Sequence, residues 1–203
     1  MSQIKLKHSG GNSVIIAAPD SNPASDRTLK LPSNADGTVL TTTNPKSGNI
    51  LQVKQAVKTD TSSSTSATYA DISGLSVAIT PTSTSNKILV TCVVQFGGAE
   101  NSYIPFKALR GSTLLAPNTQ GTGNMSNVSF GGFVNTGSGE YSLNSAVWKF
   151  LDSPSSTSAL TYKIQFASAH NSHVVYINRP QSTDNEAYII YGSSTITVQE
   201  VAA

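Results

Sequence analysis

The sequence has little cysteine, little charge and no long apolar run. Cys92 is the only cysteine, so the chain cannot form an internal disulfide. Its neighbours from Ile88 to Val94 are almost all apolar, which predicts a buried, unreactive thiol instead of a nucleophile. No apolar run approaches the roughly 20 residues that a membrane-spanning helix needs, and the N-terminus lacks an apolar signal core. We therefore expect no membrane insertion, synthesis in a cytoplasm and no export through a visible signal.

Charged residues are scarce, at 12% of the 203 residues, which is about half the content usual for soluble domains. The formal net charge is +2, and a charge this small and scattered does not make a nucleic-acid-binding surface. Serine, threonine, asparagine and glycine supply the polar surface instead. Most of these residues form helices poorly and suit turns or the exposed faces of sheets. The composition therefore predicts an all-β protein that does not bind nucleic acid.

The sequence contains no recognisable catalytic motif. Gly137-Ser138-Gly139 lacks the spacing and the following helix of a nucleophile elbow, and Gly121-Thr122-Gly123 lacks the lysine of a phosphate-binding loop. His170 and His173 could share a metal ion, but no cysteine or carboxylate cluster accompanies them closely. We therefore expect two histidines in a loop, where residues of a neighbouring chain could contact them. We therefore expect no catalytic residue, no cofactor and no metal ion.

Residues 1–47 differ from the rest of the chain and predict a β-rich segment for anchoring and trimerisation. Three short strand-like pieces, 4–7, 14–16 and 28–31, are separated by turn-forming residues. None can close a core by itself, because isolated two-stranded units are marginally stable in water. The segment therefore needs a partner, either the C-terminal domain, copies of itself or a larger assembly; a disordered tail is the alternative. Residues 44–49 then predict a linker.

From residue 48 to residue 203 the chain is a regular series of strand and turn signals. Helix-period stretches are absent, and roughly eight to ten short strands at this spacing are typical of an antiparallel β-sandwich or jelly roll. The strand over 87–96 is almost entirely apolar, so we expect it to be central and covered on both faces. The last strand, over 194–201, alternates clearly and is expected in the core sheet. The predicted strands are 50–58, 66–80, 87–96, 102–110, 127–135, 142–151, 160–168, 173–178 and 187–201.

The most strongly patterned stretch is 146–167, which carries the only tryptophan, Trp148. Apolar and polar residues alternate from 160 to 166, and apolar residues share one side of the chain from 146 to 150. Turn-forming residues occupy 152–156. The stretch therefore predicts an antiparallel hairpin whose aromatic side chains lie in the core.

Short structural motifs cover nearly the whole chain. In the N-terminal part they are AAP at 17–19, TLKLPS at 28–33 and DGTVLTT at 36–42. In the C-terminal part they are ITP at 79–81, KILV at 87–90, LRGS at 109–112, FLDSP at 150–154, YKIQ at 162–165, YIN at 176–178 and the strand 193–201. On these motifs the sequence resembles fibre and virion proteins of tailed bacteriophages, many of them marine and cyanobacterial phages. Because the motifs are strands and turns, they indicate a family more firmly than an activity.

The resemblance implies a homotrimer with a jelly-roll tip similar to complement and tumour-necrosis-factor domains. Residues 1–47 would form a three-chain β element that also contacts other virion proteins. The resemblance further implies a virion location, with synthesis in the host cytoplasm and release by lysis. Phage fibres are usually much longer than this chain, so it could be a short fibre tip, a separate tail subunit, or a fibre or decoration protein on the capsid.

Candidate binding residues lie in the loops expected to be farthest from the linker. If the strands run up and down, one end of the domain collects the loops 59–66, 97–101, 117–126, 152–159 and 179–186. Polar and aromatic side chains there suit a glycan or protein receptor on a host surface. The predicted receptor-binding residues are Tyr103, Asn118, Thr119, Gln120, Asn124, Ser155, Ser156 and Arg179. The alternative is that these loops are only solvated connections.

Three functions fit these observations. The first is a non-enzymatic virion structural protein that attaches to the host or decorates the particle. The second is a stand-alone carbohydrate-binding module that does not need the N-terminal segment. The third is a fibre-borne polysaccharide depolymerase, whose pair of carboxylates would form across a subunit interface. The first accounts best for the anchor-like N-terminus, the jelly-roll pattern and the lack of reactive clusters.

Overall fold

The computed structural model of the protein describes residues 3–7, 9–11, 13–17, 45–122, 126–135, 137, 139–170 and 173–203. The chain divides into two compact units, Met1–Val39 and Leu40–Ala203. In the first unit, strands β1 (Gln3–Lys7) and β2 (Ser13–Ala17) pair as an antiparallel hairpin. These strands confirm the predicted pieces 4–7 and 14–16. The piece 28–31 lies outside the described residues, and the domain boundary at residue 47 stays a prediction.

The second unit is all-β, as predicted. Its strands are β3 (Ile50–Lys58), β4 (Ser62–Ser64), β5 (Ala70–Ile79), β6 (Lys87–Gly98), β7 (Tyr103–Arg110), β8 (Thr113–Leu114), β9 (Phe130–Phe133), β10 (Asn144–Asp152), β11 (Leu160–Phe166), β12 (Val175–Ile177) and β13 (Ser194–Val201). One short 3-10 helix, Gly139–Tyr141, precedes β10. Each predicted strand therefore has a counterpart, although those expected over 127–135 and 187–201 are shorter than the sequence pattern suggested.

The strands form two antiparallel sheets. Sheet I contains β3, β13, β6 and β10, with β4 and β12 continuing the lines of β3 and β13. Sheet II contains β5, β11, β7 and β9, with β8 beside the end of β7. The eight main strands, in chain order, are β3, β5, β6, β7, β9, β10, β11 and β13. The first of these pairs with the eighth, the second with the seventh, the third with the sixth and the fourth with the fifth. This nested pairing is that of a jelly roll.

The predicted hairpin over 146–167 is wrong. β10 pairs with β6 in sheet I, whereas β11 pairs with β5 and β7 in sheet II. Residues 153–159 are therefore a crossing from one sheet to the other. The error has a physical reason, because alternation along a strand shows which face is buried but not which strand lies beside it.

The inward faces of the two sheets share one core, and the aromatic side chains of 146–167 contribute to it as predicted. Tyr162 and Phe166 are buried. Trp148 is half-buried and packs against this core, with ring centroids 6.0 Å from Phe130 and 5.7 Å from Phe150. The sequence thus placed these side chains on the correct face of each strand.

Strand β6 is central, since β10 lies on one side and β13 and β12 lie on the other. Cys92 is fully buried on its inner face, and burial raises the pKa of the thiol to about 12. The expectation that β6 is covered on both faces is wrong for the chain by itself. Leu89 and Val93 point outward and are only partly buried.

Residues 48 and 49 hydrogen-bond to Ala202 at one end of the domain, and we call this the near end. Glu200 holds the strands together at the near end. The Glu200 carboxylate is buried and accepts hydrogen bonds from Asn86 Nδ2 at 2.6 Å, Gln52 Nε2 at 2.6 Å, and the Thr82 amide and hydroxyl at 2.6 and 2.8 Å. Burial alone would raise the pKa of Glu200, but these hydrogen bonds outweigh burial and hold the pKa below its ordinary value of 4.5. The network joins β3 and β13 to the connection before β6.

Replacing Trp148 with alanine should destabilise the domain by about 3 kcal/mol, because the change removes two ring contacts and leaves a cavity beside the core. Chemical denaturation followed by circular dichroism measures the loss. Tyr191→Ala, at an aromatic residue that is 52% exposed, is the matched control and should change the free energy of unfolding by under about 0.5 kcal/mol. Equal stability of the two variants would contradict the core position of Trp148.

Glu200→Gln should destabilise the protein at pH 7 by about 2 kcal/mol, because an amide would place a donor among groups that all donate. The wild-type carboxylate has a lowered pKa in the folded state, so its contribution is full above pH 4.5 and is lost as the pH falls further. The difference between wild type and variant should therefore shrink below that pH. Denaturation midpoints measured from pH 7 to pH 3 test this, and a constant difference would contradict it.

Candidate functional site

One open groove lies on the outer face of sheet II, at the end opposite to the near end, which we call the far end. Its volume is about 570 Å³, which falls within the range of roughly 300–1,000 Å³ typical of small-ligand sites. The lining residues are Tyr103, Ile104, Pro105, Ser126, Val128, Gly131, Gly132, Phe133 and Ala169. All of them are among the described residues of the second unit.

Strands β7 and β9 build the floor of the groove. Tyr103 pairs with Phe133 and Pro105 pairs with Gly131, so these residues share the outer face of the sheet. Gly131 contributes no side chain and leaves a depression beside the two rings. Glycine inside a strand often marks a place where another group approaches closely.

Gly132 has a different role from its neighbour. Its position faces the core, where a Cβ atom would lie 2.2 Å from Cζ of Phe96. At Gly131 the nearest atom to an added Cβ would be the Ile104 carbonyl oxygen, at 3.3 Å. Gly131 therefore keeps the groove open, and Gly132 lets the Phe96 ring pack under β9.

Aromatic rings form one wall of the groove. Tyr103 and Phe133 are 48% and 41% exposed, and their ring centroids are 4.7 Å apart. His170 continues the row at 5.9 Å from Tyr103, and His173 lies 5.0 Å from His170. The hydroxyl of Ser168 donates to the carbonyl oxygens of both histidines and so orders this turn.

The loop between β8 and β9 supplies the opposite wall through Ser126 and Val128. This loop leaves the sheet where the Leu115 amide donates to the Ala108 carbonyl, and it returns where the Ser129 amide donates to the Phe106 carbonyl. The Ser126 side chain hydrogen-bonds the Tyr69 hydroxyl, and burial raises the pKa of Tyr69. Tyr69 therefore supports this wall from the side of β5.

The chemistry available in the groove is stacking and hydrogen bonding. None of the lining side chains carries a charge at neutral pH. Across the described ranges, no three or more His, Cys, Asp and Glu side chains cluster closely enough to hold a metal ion. The described part of the chain also has no helix long and apolar enough to cross a membrane.

The predicted receptor-binding residues do not form one site. Tyr103 lies in the groove. Arg179 is at the same end, but its guanidinium lies 3.9 Å from the centre of the Tyr176 ring and donates to the carbonyl oxygens of Pro180 and Gln181. These contacts hold the guanidinium against its own loop and outside the groove lining.

The other predicted residues lie outside the groove lining, and the assumed position of the 152–159 loop is wrong. Ser155 and Ser156 follow β10 at the near end, where Lys87 donates to the neighbouring Ser153. Asn118, Thr119 and Gln120 are exposed in the loop between β8 and β9, and the Asn118 amide donates to the carbonyl of Val128, which lines the groove. Asn124 lies outside the described residues. No observation tests whether any of these residues binds a receptor.

Sequence reasoning missed most of the groove. Phe133, Gly131 and Val128 were not singled out, although Phe130-Gly131-Gly132-Phe133 places two glycines between two aromatic residues within a predicted strand. That pattern was the available signal. The contribution of Ala169 from the turn after β11 had no signal in the sequence, because it depends on tertiary packing.

Comparisons with known proteins assign the chain to no family. No family model matches the chain, and no curated protein matches it. Among solved structures, a chain from the infectious bursal disease virus Gx strain is 10% identical with a TM-score of 0.37; the alignment covers 94% of this chain and 46% of that one. A chain of the tripod from the baseplate of bacteriophage Tuc2009 is 9% identical with a TM-score of 0.23, covering 94% of this chain and 84% of that one. This chain thus spans about half the length of the first of these, and likenesses this weak do not bear on its function.

Alanine at Gly132 should destabilise the domain by about 2 kcal/mol, because the new methyl group overlaps the Phe96 ring in the core. Alanine at Gly131 is the matched control and should cost under about 1 kcal/mol, since only a small shift of the Ile104 carbonyl is needed. Thermal denaturation of both variants measures the difference. Two equal losses would contradict the distinct roles of the two glycines.

Proposed function

We propose that the protein is a non-enzymatic structural component of a virion, a homotrimeric fibre tip or decoration protein that attaches to the host cell surface. The sequence motifs shared with phage fibre and virion proteins support the virion role, and the jelly-roll pairing fits the domain type that the resemblance implies. The observation that supports the trimer is the number of apolar side chains on the outer face of sheet I.

The outer face of sheet I is unusually apolar for a surface that faces water. The strand register places its side chains in rows across β10, β6, β13 and β3. Val147 is 65% exposed and Val53 is 52% exposed, and both lie in such rows. The apolar members of the face are Ile50, Val53, Val57, Leu89, Val93, Val147, Leu151 and Val201.

Two apolar rows on this face are separated by a polar row. Val147, Val93 and Val57 lie in the first row, in which β13 contributes Thr195. Leu151, Leu89 and Val53 lie in the second, in which β13 contributes Gln199. Thr91 and Gln55 are in the row between them, together with Thr197 and Lys149, and no acidic residue points out from these strands.

Exposed apolar side chains concentrated on one sheet face in this way are typical of a protein–protein interface. Copies of the chain related by a closed symmetry axis would cover it, and cover the outer face of β6 as the sequence pattern suggested.

The N-terminal unit fits a role in anchoring. The β1–β2 hairpin has five residue pairs, and a two-stranded unit of that size is marginal in water without a partner. Three copies side by side, or other virion proteins, would supply that partner. Leu6 is 58% exposed and is available for such a contact.

The proposed attachment site and the proposed assembly surface lie on different faces of the domain. It lies on sheet II at the far end, whereas the apolar rows lie on the outer face of sheet I. A trimer joined through sheet I would keep all three grooves open to a host surface. The lining has no carboxylate, so we propose binding and no hydrolysis there.

The alternative is a stand-alone carbohydrate-binding module, and the exposed rings of Tyr103 and Phe133 favour it. The two functions differ in assembly, because the module would act as a monomer without residues 1–47. The oligomeric state of the full chain therefore separates them.

Light scattering on the purified full chain should give three times the chain mass of 21.2 kDa. The variant carrying Val53→Glu and Val147→Glu should dissociate at protein concentrations where the wild type stays trimeric, because the interface would bury uncompensated charges. Thr161→Glu, on the outer face of sheet II, is the control and should remain trimeric.

A monomeric wild type would overturn the trimer and favour the stand-alone module. If the wild type is a trimer and the variant with Val53→Glu and Val147→Glu remains as trimeric as the Thr161→Glu control, the outer face of sheet I is not the contact.

A further inference from the structure

Two ring faces in the groove are presented to solvent side by side. The Tyr103 and Phe133 rings are tilted by 37° and are each close to half-exposed. Neither is needed to close the core, because Ile104 and Gly132 occupy the inward positions of the same strand pair. The face of an aromatic ring carries partial negative charge and attracts the weakly positive hydrogens of C–H groups. The platform therefore suits a flat ligand that has C–H groups on one face.

Hydrogen-bonding groups surround this platform. Because the Val134 amide donates to the Ser102 carbonyl, the next pair, Tyr103 and Phe133, lies at a position where the peptide groups point away from each other. Phe133 and Gly131 therefore direct their N–H and C=O groups to the outer edge of β9, which has no strand beside it in the described ranges. Ser126 adds a hydroxyl on the opposite wall. A ligand with hydroxyl groups around its rim can reach several of these groups.

The charge of the groove restricts the ligand further. No lining side chain is charged, and the nearby Lys107 ammonium lies over the Tyr69 ring at 3.7 Å from its centre. Arg179 lies outside the lining, and its guanidinium stacks on Tyr176. An acidic ligand would lose its hydration without meeting a cation in the lining. An uncharged ligand fits this lining better.

We infer that the groove binds a neutral sugar ring of a cell-surface glycan, stacked on Tyr103 and Phe133 with its hydroxyl groups directed to Ser126 and the edge of β9. This inference rests on the proposed function, since it names the class of receptor that the attachment protein meets. A pyranose combines a C–H face with a polar rim and carries no charge. A peptide added to β9 as a further strand is less suited, because that strand is only four residues long.

Binding of the full-length protein to an array of immobilised oligosaccharides tests the inference. The probes are neutral glycans ending in glucose, galactose or N-acetylglucosamine, acidic glycans ending in sialic acid or a uronic acid, and an unglycosylated peptide. Wild-type protein should bind at least one neutral glycan. Tyr103→Ala and Phe133→Ala should each weaken that binding by about tenfold or more.

Tyr188→Ala is the matched control, because Tyr188 is 58% exposed and lies outside the groove lining. It should change the affinity by under about twofold. Binding only to acidic glycans or to the peptide would overturn the inference, as would no binding to any probe. Equal affinity of Tyr103→Ala and wild type would also overturn it.

Two measurements on the same preparations separate this inference from the proposed function. Light scattering reports the trimer, and adsorption of the labelled protein to host cells reports attachment. A trimer that adsorbs to cells with Tyr103→Ala as well as wild type would overturn the sugar site and leave the proposed function standing. A monomer that binds neutral glycans through Tyr103 would support the site and overturn the proposed assembly.

Discussion

The domain depends on the insertion of β13, the last strand, between β3 and β6. β13 hydrogen-bonds β3 along one edge and β6 along the other, so it joins the first and third main strands of the jelly roll. Ile196 and Val198 bring its inner face into the core. Glu200 then ties its end to the connection between β5 and β6. Sheet I cannot close until nearly the whole chain is present, and such long-range pairing is expected to make folding slow.

The same alternation that builds the core gives the two sheets different outer faces. On sheet I, valine and leucine occupy many of the outward positions of β3, β6 and β10, whereas the outward positions of β13 are mostly polar. On sheet II the central outward positions carry a polar network, in which Asp71 accepts from Lys163 at 2.8 Å and from Gln165 at 2.8 Å. The groove lies beyond this network, at the far end of the sheet. We therefore propose the first face for contacts between copies and the groove on the second for a ligand.

Much of the fold could be predicted from the sequence. Period-2 alternation located most of the strands and the buried side of Tyr162 and Phe166, because it reflects the geometry of an individual strand. It could not show that β10 and β11 belong to different sheets, because strand partners depend on the whole topology. The course of the loop bearing Asn118 could not be predicted for the same reason, since β8 and β9 share one edge of β7. For the candidate site, Tyr103 was identified and its partners were not, because they meet only when β9 and the turn after β11 come together.

The most direct test of the proposed virion role is electron cryomicroscopy of intact particles released from the host that carries this gene. We expect threefold density on the particle into which three jelly-roll domains fit, with the outer faces of sheet I turned toward the axis and the Tyr103 grooves turned toward solvent. Particles that lack the protein would contradict the virion role. Density with the sheet I faces exposed would contradict the division of the surface into an assembly face and a binding groove.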